Sequence, residues 1–299
     1  MKPLISFVIT YHNEPKALLE ACVESVMALP LAKDEAEIIL VDDGSEASLQ
    51  SHYVTILQYI RQEQAGLSVA RNTGISHAQG RYIQFVDADD CLIPSAYKAV
   101  IGQMRKEEAD IVLFRMTKQA PSNSTSKKNA SDGEQKTWSG SGASFLLHRN
   151  LRAAAWGYAF RREILGELRF CPGLLHEDEL FTPQLFMKAE TLCELDAKAY
   201  FYRQHEGTIT NAKSPESIQR RLDDIRFIIN ELKTLDKPLL ERRTRQLTVD
   251  YLQKTLTLTH SFGELHRRTR QLHKEGFLPL PLRLYSLRYL IASLLIRLC

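Results

Sequence analysis

The sequence contains no long uninterrupted apolar run and no strong excess of either charge. Its first apolar stretch, Leu4 to Thr10, is too short for a secretory leader and passes directly into Tyr11-His12-Asn13-Glu14, so the chain is expected to stay on the cytoplasmic side. Near the end, Phe277 to Cys299 is apolar but broken by Arg283, Arg288 and Arg297, which is far from a membrane span. A net charge of +3 gives no general affinity for nucleic acid, and none is expected as a partner. The cysteines, Cys22, Cys91, Cys171, Cys193 and Cys299, are scattered without the paired spacing of a metal site. They suit buried thiols in a reducing compartment. With 44% hydrophobic and 25% charged residues over 299 positions, the chain is long enough for one large α/β domain with a modest appendage.

Strand-like runs at Ile5 to Thr10, Glu37 to Val41, Ile56 to Arg61 and Tyr82 to Val86 alternate with helical stretches, which predicts a mostly parallel sheet. Further strands are expected at Ala109 to Met116 and Ala199 to Arg203. Between them, Pro121 to about Lys136 is polar and of low complexity, the composition of a mobile surface loop. From Pro215 onward, Ile218, Leu222, Ile225, Ile228, Ile229 and Leu232 recur at helical spacing and predict an amphipathic helix packed on its own domain.

Open α/β sheets bind ligands at the carboxyl ends of their strands, and here two strands end in acidic clusters. In Val41-Asp42-Asp43-Gly44-Ser45 two carboxylates sit at a strand tip, where they can accept hydrogen bonds from a ribose or a base. A helix cap built by Asp43 or Ser45 accounts for the pattern equally well. Phe85-Val86-Asp87-Ala88-Asp89-Asp90 places three carboxylates within four residues after a hydrophobic strand. Their mutual repulsion is relieved by a hard divalent cation, Mn²⁺ or Mg²⁺, shared with phosphate oxygens; an acidic solvated turn is the alternative. A third group, His176-Glu177-Asp178-Glu179, opens an apolar helical run and holds more carboxylates than a cap requires, so one of them can act as a general base.

Taken in order, Ser6 to Glu14, Val41 to Ser45, Gly66-Leu67-Ser68-Val69-Ala70-Arg71-Asn72-Thr73-Gly74, Phe85 to Asp90 and Glu177-Asp178 resemble the family 2 glycosyltransferases of bacterial surface-polysaccharide type. The resemblance spans roughly the first 210 residues and implies a GT-A fold, a Rossmann-like, mostly parallel sheet flanked by helices, with a helical C-terminal extension. It implies a catalytic domain over 1–212, divided into a nucleotide-sugar-binding half 1–116, a polar loop 117–137 and an acceptor-side half 138–212, followed by a helical region 213–299. The implied reaction is an inverting transfer from a nucleotide-diphosphate sugar, a UDP-sugar first among them, to a hydroxyl of a glycan or lipid-linked oligosaccharide.

Carried onto this chain, Thr10, Tyr11, Glu14, Asp42, Asp43, Arg71, Asp87 and Ala88 would bind the nucleotide-sugar, and Asp89 would be the principal metal ligand with Asp87. Asp178 would be the general base with Glu177 beside it. In Tyr202-Arg203-Gln204-His205, Arg203 and His205 would contact the diphosphate, His205 also as an added metal ligand; a structural arginine and histidine after a strand are the alternative. Trp156 and Tyr158 fall where the family forms its acceptor pocket, although buried aromatics serve equally as core. A non-catalytic nucleotide-sugar-binding protein, or one catalysing a different reaction, is the competing function. For the closing segment, contact with the inner face of the membrane and packing as a terminal helix stand side by side.

Overall fold

The described residues of this computed structural model are 2–47, 49, 57–106, 109–120, 136–204, 214–235 and 237–298. They form two compact units, Met1–Ala143 with Arg152–His205, and Ser144–Leu151 with Glu206–Cys299. The first carries β1 (Ile5–Tyr11), α1 (Lys16–Met27), β2 (Ala36–Asp43), β3 (Gln58–Gln62), α2 (Leu67–His77), β4 (Tyr82–Asp87), β5 (Cys91–Leu92), α3 (Pro94–Arg105), β6 (Ile111–Thr117) and β7 (Lys136–Gly140). After α4 (Gly142–His148) it resumes with β8 (Tyr158–Arg161), α5 (Asp178–Met187) and β9 (Leu192–Phe201).

One nine-stranded sheet runs in the order β3-β2-β1-β4-β8-β6-β9-β5, with β7 also paired to β9. The four strands β3, β2, β1 and β4 are parallel, whereas β8 is antiparallel to both of its neighbours. Every residue of β1 is buried, the reading of a strand covered on both faces, and this is why its sequence is a near-continuous apolar run. Its register sets Thr10 opposite Asp87 of β4 and Tyr11 opposite Asp42 of β2, so three strand ends deliver their polar residues to one edge. Helix α2 lies close on β1 at Gly74, where a Cβ would sit 2.2 Å from Val8 Cγ1. Only glycine allows that approach without displacing a β-branched core side chain.

The expected strands appear with shifted ends. The strand expected at Ala199 to Arg203 starts earlier, at Leu192, and stops at Phe201; β7 begins at Lys136, inside the stretch expected as loop. Residues 121–135 lie outside the described residues.

In the second unit, α6 (Pro215–Leu235) buries Leu222, Ile225, Ile228, Ile229 and Leu232 as their spacing predicts. It packs along α7 (Lys237–Thr259), which in turn packs on α8 (Phe262–Lys274) and α9 (Leu287–Leu298). Arg268 of α8 is buried, with Nη1 donating to the Tyr251 hydroxyl at 2.6 Å, Nη2 to Gln219 Oε1 at 2.9 Å and Nε to Glu264 Oε1 at 2.5 Å. A buried guanidinium needs such partners, and three helices supply them.

Candidate active site

The turn after β1 is laced to the turn after β2. Asn13 holds a left-handed φ of 63°, which asparagine tolerates, and its side chain accepts from Glu46 N at 2.9 Å while its own N–H donates to Ser45 Oγ at 3.1 Å. Tyr11 donates its hydroxyl to Glu14 O at 3.0 Å, and Glu14 Oε2 accepts from His12 N at 2.6 Å. Burial pushes the Glu14 carboxyl above the usual range, and the nearby charges of Asp89 and Asp87 push it further. The turn after β1 and the Asp87–Asp90 turn therefore share one electrostatic environment.

Asp42 and Asp43, expected as nucleoside contacts, are committed within the chain. Asp42 is fully buried and accepts from Ser45 N at 2.9 Å, the Tyr59 hydroxyl at 2.6 Å and Arg61 Nη1 at 3.3 Å. Asp43 accepts from Gln62 Nε2 at 2.7 Å, Ala65 N at 2.9 Å and Gly66 N at 2.8 Å. These bonds fix the turn after β2 and the entry to α2, closer to the capping alternative than to a free ligand-binding pair.

Arg71, on α2, joins the remaining acidic motifs. Its Nη2 contacts Asp87 Oδ1 at 3.0 Å and its Nη1 donates to Glu177 Oε1, while its guanidinium lies 5.3 Å from the Phe170 ring and 5.7 Å from that of Phe85. Burial works to discharge this arginine, but Glu177, Asp87 and Asp178 outweigh that and hold it protonated. Arg71, expected beside the nucleotide, pairs here with the partly exposed carboxylate of Asp87 and the buried one of Glu177. The loop carrying Glu177 is pinned from the next residue, since Asn72 Nδ2 donates to Phe170 O and Phe170 N to Asn72 Oδ1, both at 2.9 Å. Asn72 was given no role on sequence grounds; a polar amide of low helix propensity within α2 is the signal that marks it.

Asp178 opens α5. Burial and the adjacent charges of Glu177 and Glu179 push its carboxyl well above the ordinary carboxylate range, with Arg71 opposing. Asp87 is also pushed up by burial, against the pull of Arg71, and Asp90 is pushed up to about 8 by burial and by Asp87. The three carboxylates of this turn divide their work. Asp90 is buried and accepts from Arg203 N at 2.7 Å, tying the turn to the end of β9, whereas Asp87 and Asp89 remain partly exposed. Ala88 between them is buried. Among the described residues, no three His, Cys, Asp or Glu side chains group closely enough to hold a metal ion by themselves. His205, expected as an added ligand, lies outside the described residues.

Arg203 is beside this turn, with Nη2 3.5 Å from Cys91 Sγ and its guanidinium 5.6 Å from the Phe201 ring. Trp156 stacks on Tyr200 with centroids 4.5 Å apart and on Tyr202 at 5.7 Å. Tyr200 lies inside the strand expected at Ala199 to Arg203 but was given no role, because its partner is 113 positions away; its hydroxyl accepts from Asp87 N at 3.2 Å and so links the aromatic stack to the acidic turn. Tyr158 requires a correction. It is fully buried, its hydroxyl bonds Thr182 Oγ1 at 2.9 Å and its ring meets Phe186 edge-on, so it packs the core and presents no face to an acceptor.

A sequence model described as glycosyl transferase family 2 matches residues 6–169, which contain the strand-end motifs and Arg71 but stop short of Glu177 and Asp178. The glycosyltransferase EpsJ of Bacillus subtilis is 29% identical over 228 residues, 70% of this chain and 64% of EpsJ. The glycosyltransferase GlyG of Streptococcus pneumoniae is 27% identical over 283 residues, 85% of this chain and 89% of GlyG. The crystal structure of S. aureus TarS residues 1–349 in complex with UDP-GlcNAc superimposes with a TM-score of 0.65 at 20% identity, over 92% of this chain and 80% of that one. That likeness establishes the GT-A fold. With more than half of its length matched by the family model, the chain belongs to glycosyltransferase family 2.

Proposed function

We propose that the chain is an inverting glycosyltransferase that moves a sugar from a nucleotide-diphosphate donor to a hydroxyl of a glycan or lipid-linked oligosaccharide on the cytoplasmic side. The observation that carries this reading is Arg71, whose single guanidinium binds both Asp87 at the end of β4 and Glu177 before α5, next to Asp178. A donor-side carboxylate and an acceptor-side base are thereby held at a fixed separation, which is what direct displacement at a sugar carbon demands.

In the reaction, an acceptor hydroxyl oxygen forms a bond to the anomeric carbon from the face opposite the leaving diphosphate, whose bond to that carbon breaks with its electron pair. Asp178 takes the hydroxyl proton. A raised pKa suits it, because a carboxylate at its ordinary pKa is a weak base near neutral pH. Glu177, neutralised by Arg71, acts as an orienting residue rather than a second base. Asp87 and Asp89 supply hard, partly exposed oxygens beside a desolvated turn, a donor set that fits Mn²⁺ or Mg²⁺ once donor phosphate oxygens complete the shell. Such an ion would neutralise charge on the departing diphosphate. The Trp156 face, stacked on Tyr200 and Tyr202 beside the same turn, suits the C–H face of a sugar ring. UDP-sugars are the first donors to try, since TarS has been crystallised with UDP-GlcNAc.

The test is incubation with UDP-sugars and Mn²⁺, with and without a polysaccharide or lipid-linked acceptor, and detection of released UDP. Acceptor-dependent release supports transfer. Donor binding without release in any combination supports the binding-protein alternative.

A further inference from the structure

We propose that α9 and the segment before it form a docking face for an anionic lipid surface. On this part of the second unit, Leu282, Leu284, Leu287, Ile291, Leu294 and Leu295 are between 46% and 76% exposed. Within α9 the exposed positions 287, 291, 294 and 295 fall on one side of the helix, at the three- and four-residue spacings that share a face. The other side is already used: Tyr289, Ala292 and Ser293 are buried, and Ser293 Oγ donates to Tyr289 O at 2.8 Å. Arg288 reaches back to α7, donating to Asp250 Oδ1 at 2.7 Å and to Gln253 Oε1. The helix is thus anchored through one face, and its aliphatic face is left toward solvent.

Charge complementarity identifies what covers that face. From Ser261 to Cys299 there are seven Lys and Arg residues against two Glu, a difference of five that falls to four once Arg288, paired with Asp250, is set aside, and no acidic residue follows Glu275. Both acids are already neutralised within the unit, Glu264 by Arg267 and Arg268 and Glu275 by Arg226 at 3.2 Å. Arg270, Lys274 and Arg283 are exposed and enter no ion pair among the described residues. The combination of an all-aliphatic face, without the aromatic and hydrogen-bonding groups of a protein interface, and a surplus of exposed cations is that of a helix lying in a headgroup layer. With 12 residues α9 is too short to span a bilayer, and no helix among the described residues is long and apolar enough to cross one. It lies in the plane.

This proposal does not depend on the assignment of the active site, because it is read without donor or acceptor. Full-length protein is floated with vesicles of phosphatidylcholine alone and of phosphatidylcholine with phosphatidylglycerol at physiological salt. Co-flotation is expected with the anionic vesicles and at least ten-fold less with the neutral ones. The triple variant Leu287→Ser, Ile291→Ser, Leu295→Ser, whose changes are at exposed positions, is expected to keep its circular dichroism and lose binding ten-fold or more. The double variant Arg270→Glu, Arg283→Glu is expected to lose the preference for anionic lipid. Failure of the wild type to float with anionic vesicles, or equal flotation of the triple variant, overturns the proposal. So does a wild-type dimer by light scattering that the triple variant abolishes while vesicle binding is absent, which would assign the face to a second copy of the chain.

Discussion

Replacing Arg71 with methionine isolates the contribution of the guanidinium at the centre of the site. Methionine fills most of the same volume beside Phe85 and Phe170, so packing changes little, but Asp87 and Glu177 lose their shared cation. The Arg71 side chain is 4% exposed and that of Glu177 8%, so solvent cannot take over as a partner. Removing one member of a buried ion cluster costs about 3–5 kcal/mol, far more than the surface pairs of this chain, which contribute about 0–1 kcal/mol each. For a unit of this size that corresponds to a fall in melting temperature on the order of 10 °C. Thermal unfolding followed by circular dichroism is the assay. Adding Glu177→Gln to Arg71→Met removes one stranded charge, and the double variant is expected to recover about 1–3 kcal/mol, a coupling that a packing defect would not produce. A single variant within about 0.5 kcal/mol of the wild type would refute the reasoning, since it would mean that the carboxylates protonate or rehydrate at little cost.

Asp89→Ala is expected to abolish UDP release while leaving the melting temperature within the range of a surface substitution, and excess EDTA to do the same to the wild type until Mn²⁺ or Mg²⁺ is restored. Asp178→Asn keeps the shape of the side chain and removes its basicity, so kcat is expected to fall at least 100-fold with donor affinity by calorimetry nearly unchanged; collapse of donor binding instead would move Asp178 to the donor side. In the C-terminal unit, Glu264 is lowered from 4.5 to about 2, chiefly by the hydrogen bond from Arg267, with Arg268 adding to it against the effect of burial. A lowered folded-state pKa contributes stability that is present above pH 4.5 and lost as pH falls toward 2. Discounted for partial exposure, the contribution is about 1–2 kcal/mol, and urea titrations are expected to show Glu264→Gln less stable by that amount at pH 7, with the difference shrinking below pH 4.5 and gone only once the pH is below the folded-state value of about 2.

The parallel half of the sheet was legible because burial on both faces demands apolar runs, and β1, β2 and β4 carry them in full. Their acidic ends were legible for the same reason: a carboxylate immediately after such a run needs an explanation. Strands β7 and β8 were not, since β7 is largely exposed and β8 has only four residues, too few to set a period. Composition also fails to separate the two aromatics expected at the acceptor side. Trp156, in the 3-10 turn before β8, is half-buried on a stack, whereas Tyr158, the first residue of β8, lies in the core, a difference of placement rather than of residue type. Arg71, Asp87 and Glu177 were each found by resemblance, but their pairing was not, because the bond from Arg71 to Glu177 bridges 106 residues and leaves no local pattern.

The bond from Arg203 N to Asp90 spans 113 positions, and β9, which leads to it, pairs with β5, β6 and β7. The acidic turn is made of residues synthesised early, yet the strand that fastens it comes near the end of the first unit. During translation the nucleotide side of the sheet can form while the turn still lacks its late partner, and non-local pairings of this kind are the slow ones. A nascent chain that has not yet exposed residue 203 therefore carries the acidic motif without the long-range bond that fastens its turn.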